Sequence, residues 1–168
     1  MDSIAKNEFQ VINFLVRNFS ERFTIRSIAQ NLKLSPAGVH SILKKLEKNN
    51  IVVHEKLGTG LFYEVNLDNN IAKHLASIVL SEGDAKADIK IDAKAIIATK
   101  KDILVILDEI AVVEKISIPD KNVIIESESS LLEKIRSKNK IILDIFKQGK
   151  ALFGEDFVVD MIKKSTRY

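Results

Sequence analysis

The chain has 168 residues, 46% of them hydrophobic and 29% charged, a composition typical of a globular protein with one domain of ordinary size or two small ones. It contains no cysteine, which excludes disulfide bonds, Cys-ligated zinc and a cysteine nucleophile, and its longest unbroken apolar run, Ile103–Leu107, is too short to cross a membrane. No basic segment followed by an apolar core precedes the first predicted helix, so we expect no secretory signal and a cytoplasmic protein.

The segment from Asp2 to Asn18 predicts the first helix of the chain. Its apolar residues cover more than one helical face, and they are Phe9, Ile12, Phe14, Leu15, Val16 and Phe19. Two interpretations remain open: the helix packs one broad face on the core, or part of that face contacts a partner chain. The residues Phe23-Thr24-Ile25 then predict a short strand that closes against the hairpin, or wing, predicted further along the chain.

The stretch from Thr24 to Tyr63 predicts a helix, a tight turn, a second helix and a two-stranded hairpin, which is the element order of a winged helix-turn-helix. The helix Ser27–Leu32 is followed by a turn at Lys33-Leu34. Ser35-Pro36 predicts the start of the second helix, because serine caps free backbone N–H groups and proline fits the first helical position.

This second helix, the predicted recognition helix, has one apolar stripe and one polar face. Apolar residues three and four positions apart predict the buried stripe of Val39, Ile42, Leu43 and Leu46. The opposite face carries the small, polar and basic residues Ala37, Gly38, His40, Ser41, Lys44, Lys45 and Lys48. Such a face suits the major groove of DNA, where small residues permit close approach and polar residues reach base edges.

Asn49-Asn50 is predicted to end the recognition helix, because asparagine tolerates the left-handed backbone conformation. The strands Ile51–Lys56 and Leu61–Asn66 then predict a hairpin around a glycine-containing turn. We expect Lys56 and Thr59 near the tip of this wing, where they would contact the DNA backbone or the minor groove.

Positive charge is concentrated in this part of the chain. The window from Arg22 to Lys56 contains seven positive and two negative residues, a local net charge of +5 against +3 for the whole chain. A basic surface on a helix-turn-helix is what binding to phosphates requires. Arg26, at the start of the preceding helix, is a candidate phosphate contact for the same reason.

The winged segment resembles the DNA-binding domains of prokaryotic transcriptional regulators of the MarR and ArsR type. The resemblance is carried by Ser27-Ile28-Ala29, Ser35-Pro36-Ala37-Gly38-Val39, Leu43-Lys44-Lys45-Leu46-Glu47 and Ile51-Val52. Many relatives have glycine where Asn50 stands. The resemblance implies a transcriptional regulator that binds double-stranded DNA as a homodimer, with the first helix in the dimer interface.

The segment from Asn69 to Glu82 predicts a further helix, whose position after the wing suits a dimerisation or linker helix. Its apolar stripe consists of Ile71, Leu75, Ile78 and Val79. Gly83 and the small polar residues after it predict a boundary between two domains, residues 1–83 and 84–168.

The second half of the chain predicts a small α/β domain, so the fold class is α+β. Alternating apolar residues from Ile89 to Ile97 predict a strand. Lys101–Lys115 fits helical spacing, although its apolar run Ile103–Leu107 equally fits a buried strand, and we favour the helix. The remaining predicted elements are a strand at Asn122–Ser127, a helix at Ser129–Lys147, a short connection at Ala151–Gly154 and a final helix at Glu155–Lys164.

The region from Asn122 to Ile162 resembles the C-terminal part of minimal nucleotidyltransferase domains of the polymerase-beta superfamily. The resemblance is carried by Glu126-Ser127-Glu128, Ile145-Phe146-Lys147-Gln148-Gly149 and Leu152-Phe153-Gly154-Glu155. Archaeal proteins that join a winged helix to such a domain form a known group, so the resemblance implies an archaeal protein.

An active domain of that family holds nucleotide phosphates with a Gly-Ser motif and binds magnesium with an Asp-x-Asp pair. This sequence contains neither motif. Asp88 and Asp92 are four residues apart and Asp108 and Glu109 are adjacent, and we interpret all four as surface residues. The three histidines are isolated from one another in sequence, and no metal-ligand spacing is present. We therefore expect a degenerate domain with no catalytic residues, no metal site and no cofactor, in a protein that is not an enzyme.

These patterns favour a sequence-specific DNA-binding transcriptional regulator. His40, Ser41 and Lys44 are the candidates for contacts with bases, and Ser35, Lys45 and Lys48 lie nearer the phosphates. Pro36, Ala37 and Gly38 complete the surface at the start of the recognition helix. The alternatives are a nucleotidyltransferase whose winged helix positions a nucleic-acid substrate, and a protein-interaction module that does not bind DNA.

Overall fold

The computed structural model describes residues 5–81, 92–108 and 120–166. The chain divides into two compact units, Met1–Val79 and Leu80–Tyr168, and each has its own buried apolar residues. The domain boundary predicted at residue 83 lies outside the described residues.

The N-terminal unit has the element order of a winged helix-turn-helix, which confirms the predicted fold. It begins with three helices, followed by a hairpin. They are α1 (Lys6–Arg17), α2 (Ile25–Leu32), α3 (Pro36–Lys48), β1 (Val52–Leu57) and β2 (Gly60–Val65).

Local sequence signals fix where these helices begin and end. The Thr24 hydroxyl accepts a hydrogen bond from the Ser27 amide at 3.3 Å and caps α2. Lys33 takes the left-handed conformation with φ of 54° and starts the turn between α2 and α3. Ser35 caps α3, and Asn50, with φ of 56°, follows the end of α3 as predicted.

The predicted strand Phe23-Thr24-Ile25 closes against the wing as expected, but only through Phe23. Phe23 makes one antiparallel bridge to Tyr63, and its carbonyl accepts a hydrogen bond from the Tyr63 amide at 2.9 Å. Pairing stops there because the Thr24 side chain caps α2, and Ile25 is already the first residue of that helix.

The core of the N-terminal unit lies between the three helices and the wing. Ile12, Ile28 and Val39 are completely buried. The rings of Phe14 and Phe23 meet edge to face with their centroids 4.6 Å apart.

Helix α4 (Asn70–Ser81) begins after Asn69, whose side chain accepts a hydrogen bond from the Ile71 amide at 2.8 Å. The Arg17 guanidinium donates to the Val79 carbonyl at 2.7 Å and joins the end of α1 to α4.

In its described residues, the C-terminal unit has a four-stranded mixed sheet and three helices, which confirms a small α/β region. Its strands are β3 (Ala95–Ala98), β4 (Asp102–Leu107), β5 (Asn122–Ser127) and β6 (Lys150–Phe153). The strand order is β5-β4-β3-β6, with β4 and β5 parallel and the other neighbours antiparallel. The prediction of β5 is confirmed, whereas β3 covers only the end of the strand predicted from Ile89, whose first residues lie outside the described part of the chain.

The predicted helix from Lys101 to Lys115 is wrong in its described part, because Asp102–Leu107 is the central strand β4. Its five apolar residues are all buried. A central strand that is covered on both faces needs no polar alternation, so its sequence resembles that of a buried helix. Residues 109–115 lie outside the described part of the chain.

The predicted helix from Ser129 to Lys147 is wrong as a single element. The structure has two helices, α5 (Glu128–Arg136) and α6 (Lys140–Gln148). Lys138 between them has φ of 56°, and the Asn139 side chain accepts a hydrogen bond from the Ile142 amide at 3.2 Å. A left-handed residue followed by an asparagine cap ends one helix and begins the next.

The predicted connection Ala151–Gly154 is also wrong, because Lys150–Phe153 forms the edge strand β6, paired with β3. The final helix, α7 (Glu155–Thr166), is confirmed. Among the described residues, no helix is long and apolar enough to span a membrane.

We expect Gly154→Ala to destabilise the protein far more than Gly58→Ala. Both glycines have positive φ, 74° and 59°, which costs an alanine about 1–2 kcal/mol. A Cβ on Gly154 would also lie 2.2 Å from the Lys94 carbonyl oxygen, whereas one on Gly58 meets no atom within 4 Å. Urea unfolding combined with amide hydrogen exchange in each unit measures the two losses, and equal losses would contradict the assigned packing of Gly154.

Candidate nucleic-acid interface

Helix α3 presents a continuous polar face because its opposite side is buried. Val39, Leu43 and Leu46 are no more than 2% exposed, and they hold the helix against the core. The face turned away from the core has the exposed residues Pro36, Ala37, His40, Ser41, Lys44 and Lys48. The predicted groove-facing surface is therefore assembled on one side of one helix.

The beginning of α3 is fixed by a close contact between Ser35 and Gly38. The Ser35 hydroxyl accepts a hydrogen bond from the Gly38 amide at 3.1 Å. A Cβ on Gly38 would lie 3.0 Å from the Ser35 Oγ, so glycine leaves room for the cap. Ser35 is exposed and Gly38 is half-buried, and both lie at the end of the helix that approaches DNA in this motif.

Lys45 differs from the other lysines of α3. Its Nζ donates to Oε1 of Glu8 on α1 at 2.8 Å, and the Glu8 side chain is only 10% exposed. The ammonium therefore pairs with α1, and no local sequence pattern indicates this contact because the partners are 37 residues apart. The role of Lys45 as a phosphate contact stays a prediction, with its charge already matched by a carboxylate.

The pair lowers the pKa of the Glu8 carboxyl below its usual value, because the hydrogen bond from Lys45 favours the ionised form. Burial acts in the opposite direction, and the Ala5 amide, which donates to Glu8 Oε2 at 3.1 Å, adds to the lowering. Glu8 therefore remains ionised and joins α1 to α3.

The wing is a hairpin with a two-residue turn at Gly58-Thr59. Leu57 pairs with Gly60, and Gly58 has the positive φ that such a tight turn needs. Lys56 and Thr59 are exposed near this tip, as predicted.

Two further contacts on β1 were not found by sequence reasoning. His54 Nδ1 lies within hydrogen-bond distance of Glu47 Oε1, which joins β1 to the last turn of α3. The Arg22 guanidinium pairs with Glu55 at 3.0 Å. Both acids in the basic window are therefore matched by a partner.

Other described cations of this unit have ammonium or guanidinium groups without an ion-pair partner. Within the part of the chain that the structure describes, Arg26, Lys44, Lys48 and Lys56 have no ion-pair partner, and all four are exposed. Arg26 lies on α2, Lys44 and Lys48 lie on α3, and Lys56 lies on β1. Unpaired surface cations are the groups that can exchange their counterions for phosphates.

The C-terminal unit holds a different charge arrangement. Lys94 Nζ contacts Asp108, and it lies 3.5 Å from Glu128, which is paired with Lys164 at 2.5 Å. The hydrogen bond from Lys164, followed by the charges of both lysines, lowers the pKa of the Glu128 carboxyl despite its partial burial. Asp92 is exposed, whereas Asp88 and Glu109 lie outside the described residues.

Three or more His, Cys, Asp or Glu side chains that could hold a metal ion do not come together anywhere in residues 5–81, 92–108 and 120–166.

Residues 5–53 match the family model of winged helix-turn-helix DNA-binding domains. The match covers α1, α2, α3 and the start of β1, and it does not extend to the rest of the chain. A comparison with curated proteins found no match. The N-terminal unit is thus a winged helix-turn-helix domain of the DNA-binding type.

We expect Glu8→Gln to lower the stability of the N-terminal unit at neutral pH by about 1 kcal/mol, because the ion pair with Lys45 is lost. A lowered pKa means that the stabilisation is present above the usual glutamate value of 4.5 and is lost as the pH falls through the lower folded value. We therefore expect the free energy of unfolding of Glu8→Gln, measured from pH 7 to pH 2, to lack the decrease that titration of Glu8 causes in the wild-type protein. Lys45→Met should also lower the stability at neutral pH, because it leaves the nearly buried Glu8 carboxylate without its ammonium partner. A wild-type pH profile in both variants would contradict the pairing.

Proposed function

We propose that the protein is a sequence-specific transcriptional regulator that acts in the cytoplasm as a homodimer on double-stranded DNA, and that it is not an enzyme. The observation that supports this proposal is the polar face of α3, where small residues, a histidine, a serine and unpaired lysines lie opposite a buried stripe. The family match of residues 5–53 supports DNA as the partner.

The polar face of α3 suits the major groove. Ala37 and Gly38 at its first turn allow the helix to approach the base edges closely. His40, Ser41 and Lys44 follow with groups that donate or accept hydrogen bonds, and they are the residues that we assign to base readout. Lys48, one turn further along, is assigned to phosphate.

Positive groups beside the helix would hold the DNA backbone. Arg26 on α2 and Lys56 with Thr59 on the wing are exposed. These contacts position a protein on the duplex and give binding its salt dependence, and they carry no sequence information of their own.

A homodimer is supported by the exposed apolar residues of α4. Ile71 and Ile78 are 39% and 52% exposed, and they lie seven residues apart on one face of the helix. In such a dimer two recognition helices would read two half-sites of a palindromic operator.

For the C-terminal domain we propose a degenerate relative of nucleotidyltransferases that does no catalysis. The sequence lacks the Gly-Ser and Asp-x-Asp motifs. Asp102 at the start of β4 accepts hydrogen bonds from the Asn122 side-chain Nδ2 at 3.0 Å and from the Thr99 hydroxyl at 3.4 Å, which are structural contacts.

The proposal is tested by titrating the protein with a duplex from its own upstream region and with a scrambled duplex over a salt series. We expect the native duplex to bind about a hundredfold or more tightly, within the range of specific DNA-binding proteins. Equal and steeply salt-dependent binding to both would indicate a nonspecific binder. The absence of binding at low salt would favour the protein-interaction alternative.

We expect Lys44→Gln with Lys48→Gln to weaken DNA binding and to lower the slope of log affinity against log salt by about 2, because each lysine that contacts a phosphate contributes about 0.9. The matched control is the double variant Lys138→Gln, Lys140→Gln. It removes two exposed lysines, one from the turn between α5 and α6 and one from the first position of α6. An equal effect of both pairs would show that net charge and not the α3 surface determines binding.

We expect His40→Ala and Ser41→Ala to change the sequence preference more than the affinity for scrambled DNA. Loss of one base contact should reduce discrimination at one operator position by about 1–3 kcal/mol, with the salt slope unchanged. Competition with a library of single-base operator variants measures the change. A uniform loss across all variants would place these side chains on phosphates.

A further inference from the structure

The sheet of the C-terminal unit has lysines at one end, and these lysines are not used by the α3 surface. β3 ends where β4, β5 and β6 begin, because Ala98 pairs with both Ile103 and Lys150, and Asp102 pairs with Asn122. Among the described residues, four lysines flank these strand ends, which we name the lysine end: Lys100, Lys101, Lys121 and Lys150.

The acids at the lysine end do not match this charge. Among the described residues that flank these strand ends, two are carboxylates, Asp102 and Asp120. The Asp102 carboxylate is half-buried and accepts hydrogen bonds from Asn122 and Thr99. Within the described residues, Lys100, Lys101 and Lys150 are exposed and have no ion-pair partner.

The opposite end of the same sheet shows the contrasting arrangement. Asp108 follows β4 and Glu128 follows β5, and both are paired with lysines, Lys94 and Lys164. The carboxylates there are therefore neutralised within the domain. The two ends of the sheet therefore differ in their ion pairs: Lys94 and Lys164 at one end contact carboxylates, whereas, within the described residues, Lys100, Lys101 and Lys150 at the other end do not.

The turn that carries the lysines is held in one conformation. The Thr99 hydroxyl accepts hydrogen bonds from the amides of Lys101 at 3.1 Å and Asp102 at 2.8 Å. Lys121 Nζ donates to the Thr99 carbonyl at 2.6 Å and to the Lys100 carbonyl at 3.4 Å. Lys121 thus fixes the turn, and Lys100 and Lys101 project from a rigid support.

The dimensions of the lysine end suit a phosphate backbone. Neighbouring strands are about 4.8 Å apart, so an end of four strands is roughly 15 Å across. One strand of duplex DNA carries a phosphate about every 3.4 Å along the helix axis, so roughly four phosphates lie within that width.

We propose that the lysine end is a second, sequence-independent contact for the phosphates of duplex nucleic acid, a surface that adds to the α3 interface and rests on the proposed DNA-binding function. A second copy of the chain suits it less well. The carboxylates at the opposite end of the sheet, which could attract the lysines of a second copy, are already paired. A contact between the lysine end of one copy and the opposite end of another would also be heterologous, and such contacts produce open-ended filaments unless the rotation between copies closes a ring.

The test compares two double variants of the full chain: Lys100→Gln combined with Lys101→Gln, and the control Lys138→Gln combined with Lys140→Gln. Binding is measured over a salt series to native and scrambled duplexes, each in a short and a long form. We expect the first pair to weaken binding to all duplexes roughly tenfold and to lower the salt slope by about 2, with the ratio of native to scrambled affinity unchanged. The effect should be larger on the long duplexes, and Lys100→Arg with Lys101→Arg should restore it.

Several results would overturn the inference. The first is that the Lys100→Gln, Lys101→Gln double variant binds DNA with wild-type affinity, and the second is that the control double variant loses as much affinity. The third is that the wild-type protein self-associates in a salt-dependent way and the Lys100→Gln, Lys101→Gln variant loses this self-association while it retains DNA binding. If wild-type protein shows no preference for native duplex but its binding still depends on Lys100 and Lys101, the regulator proposal fails and this inference stands. If wild-type protein binds no duplex at low salt, both fail.

Discussion

The burial of one stripe of α3 determines the rest of the N-terminal unit. Val39, Leu43 and Leu46 are almost completely removed from solvent, and each such side chain contributes about 1.5–3 kcal/mol to folding. Because the helix has a fixed period, burying this stripe also fixes which residues point outward. Rolling the helix to present another face would expose the stripe, so the polar surface is stabilised by the core beneath it.

A second feature common to both units is the separation of paired from unpaired cations. Lys45 and Lys44 are neighbours in sequence, yet Lys45 meets a nearly buried carboxylate and Lys44 faces solvent. The same division occurs between Lys94 and Lys100 in the C-terminal unit. A count of charges along the sequence treats these lysines as equal, whereas the structure gives one of each pair a structural role and leaves the other accessible to ligands.

The parts of the fold that could be predicted were those with local causes. Ser35-Pro36 starts α3, Asn50 follows its end, and the glycines form the wing turn, because caps and turns depend on neighbours within a few residues. The polar face of α3 followed from periodicity alone. The sequence therefore predicted most of the N-terminal unit and nearly all of the candidate surface.

The errors arose where the cause lies far along the chain. β4 was predicted as a helix because its apolar run becomes a strand only through pairing with β3 and β5. β6 was predicted as a connection because four residues carry little pattern, and its pairing partner lies more than 50 positions earlier. The partners Glu8 and Lys45 come from different helices, and no local pattern brings them together.

The link between the wing and α3 has a kinetic consequence. His54 on β1 contacts Glu47 in the last turn of α3, and the Ile51 carbonyl accepts a hydrogen bond from the Asn66 amide at 2.8 Å where the hairpin closes. The angle between helix and hairpin is thus set during folding, and little conformational entropy remains to be lost when a ligand arrives. For a preorganised surface of this kind, long-range attraction governs the rate of encounter and short-range fit governs the lifetime of the complex.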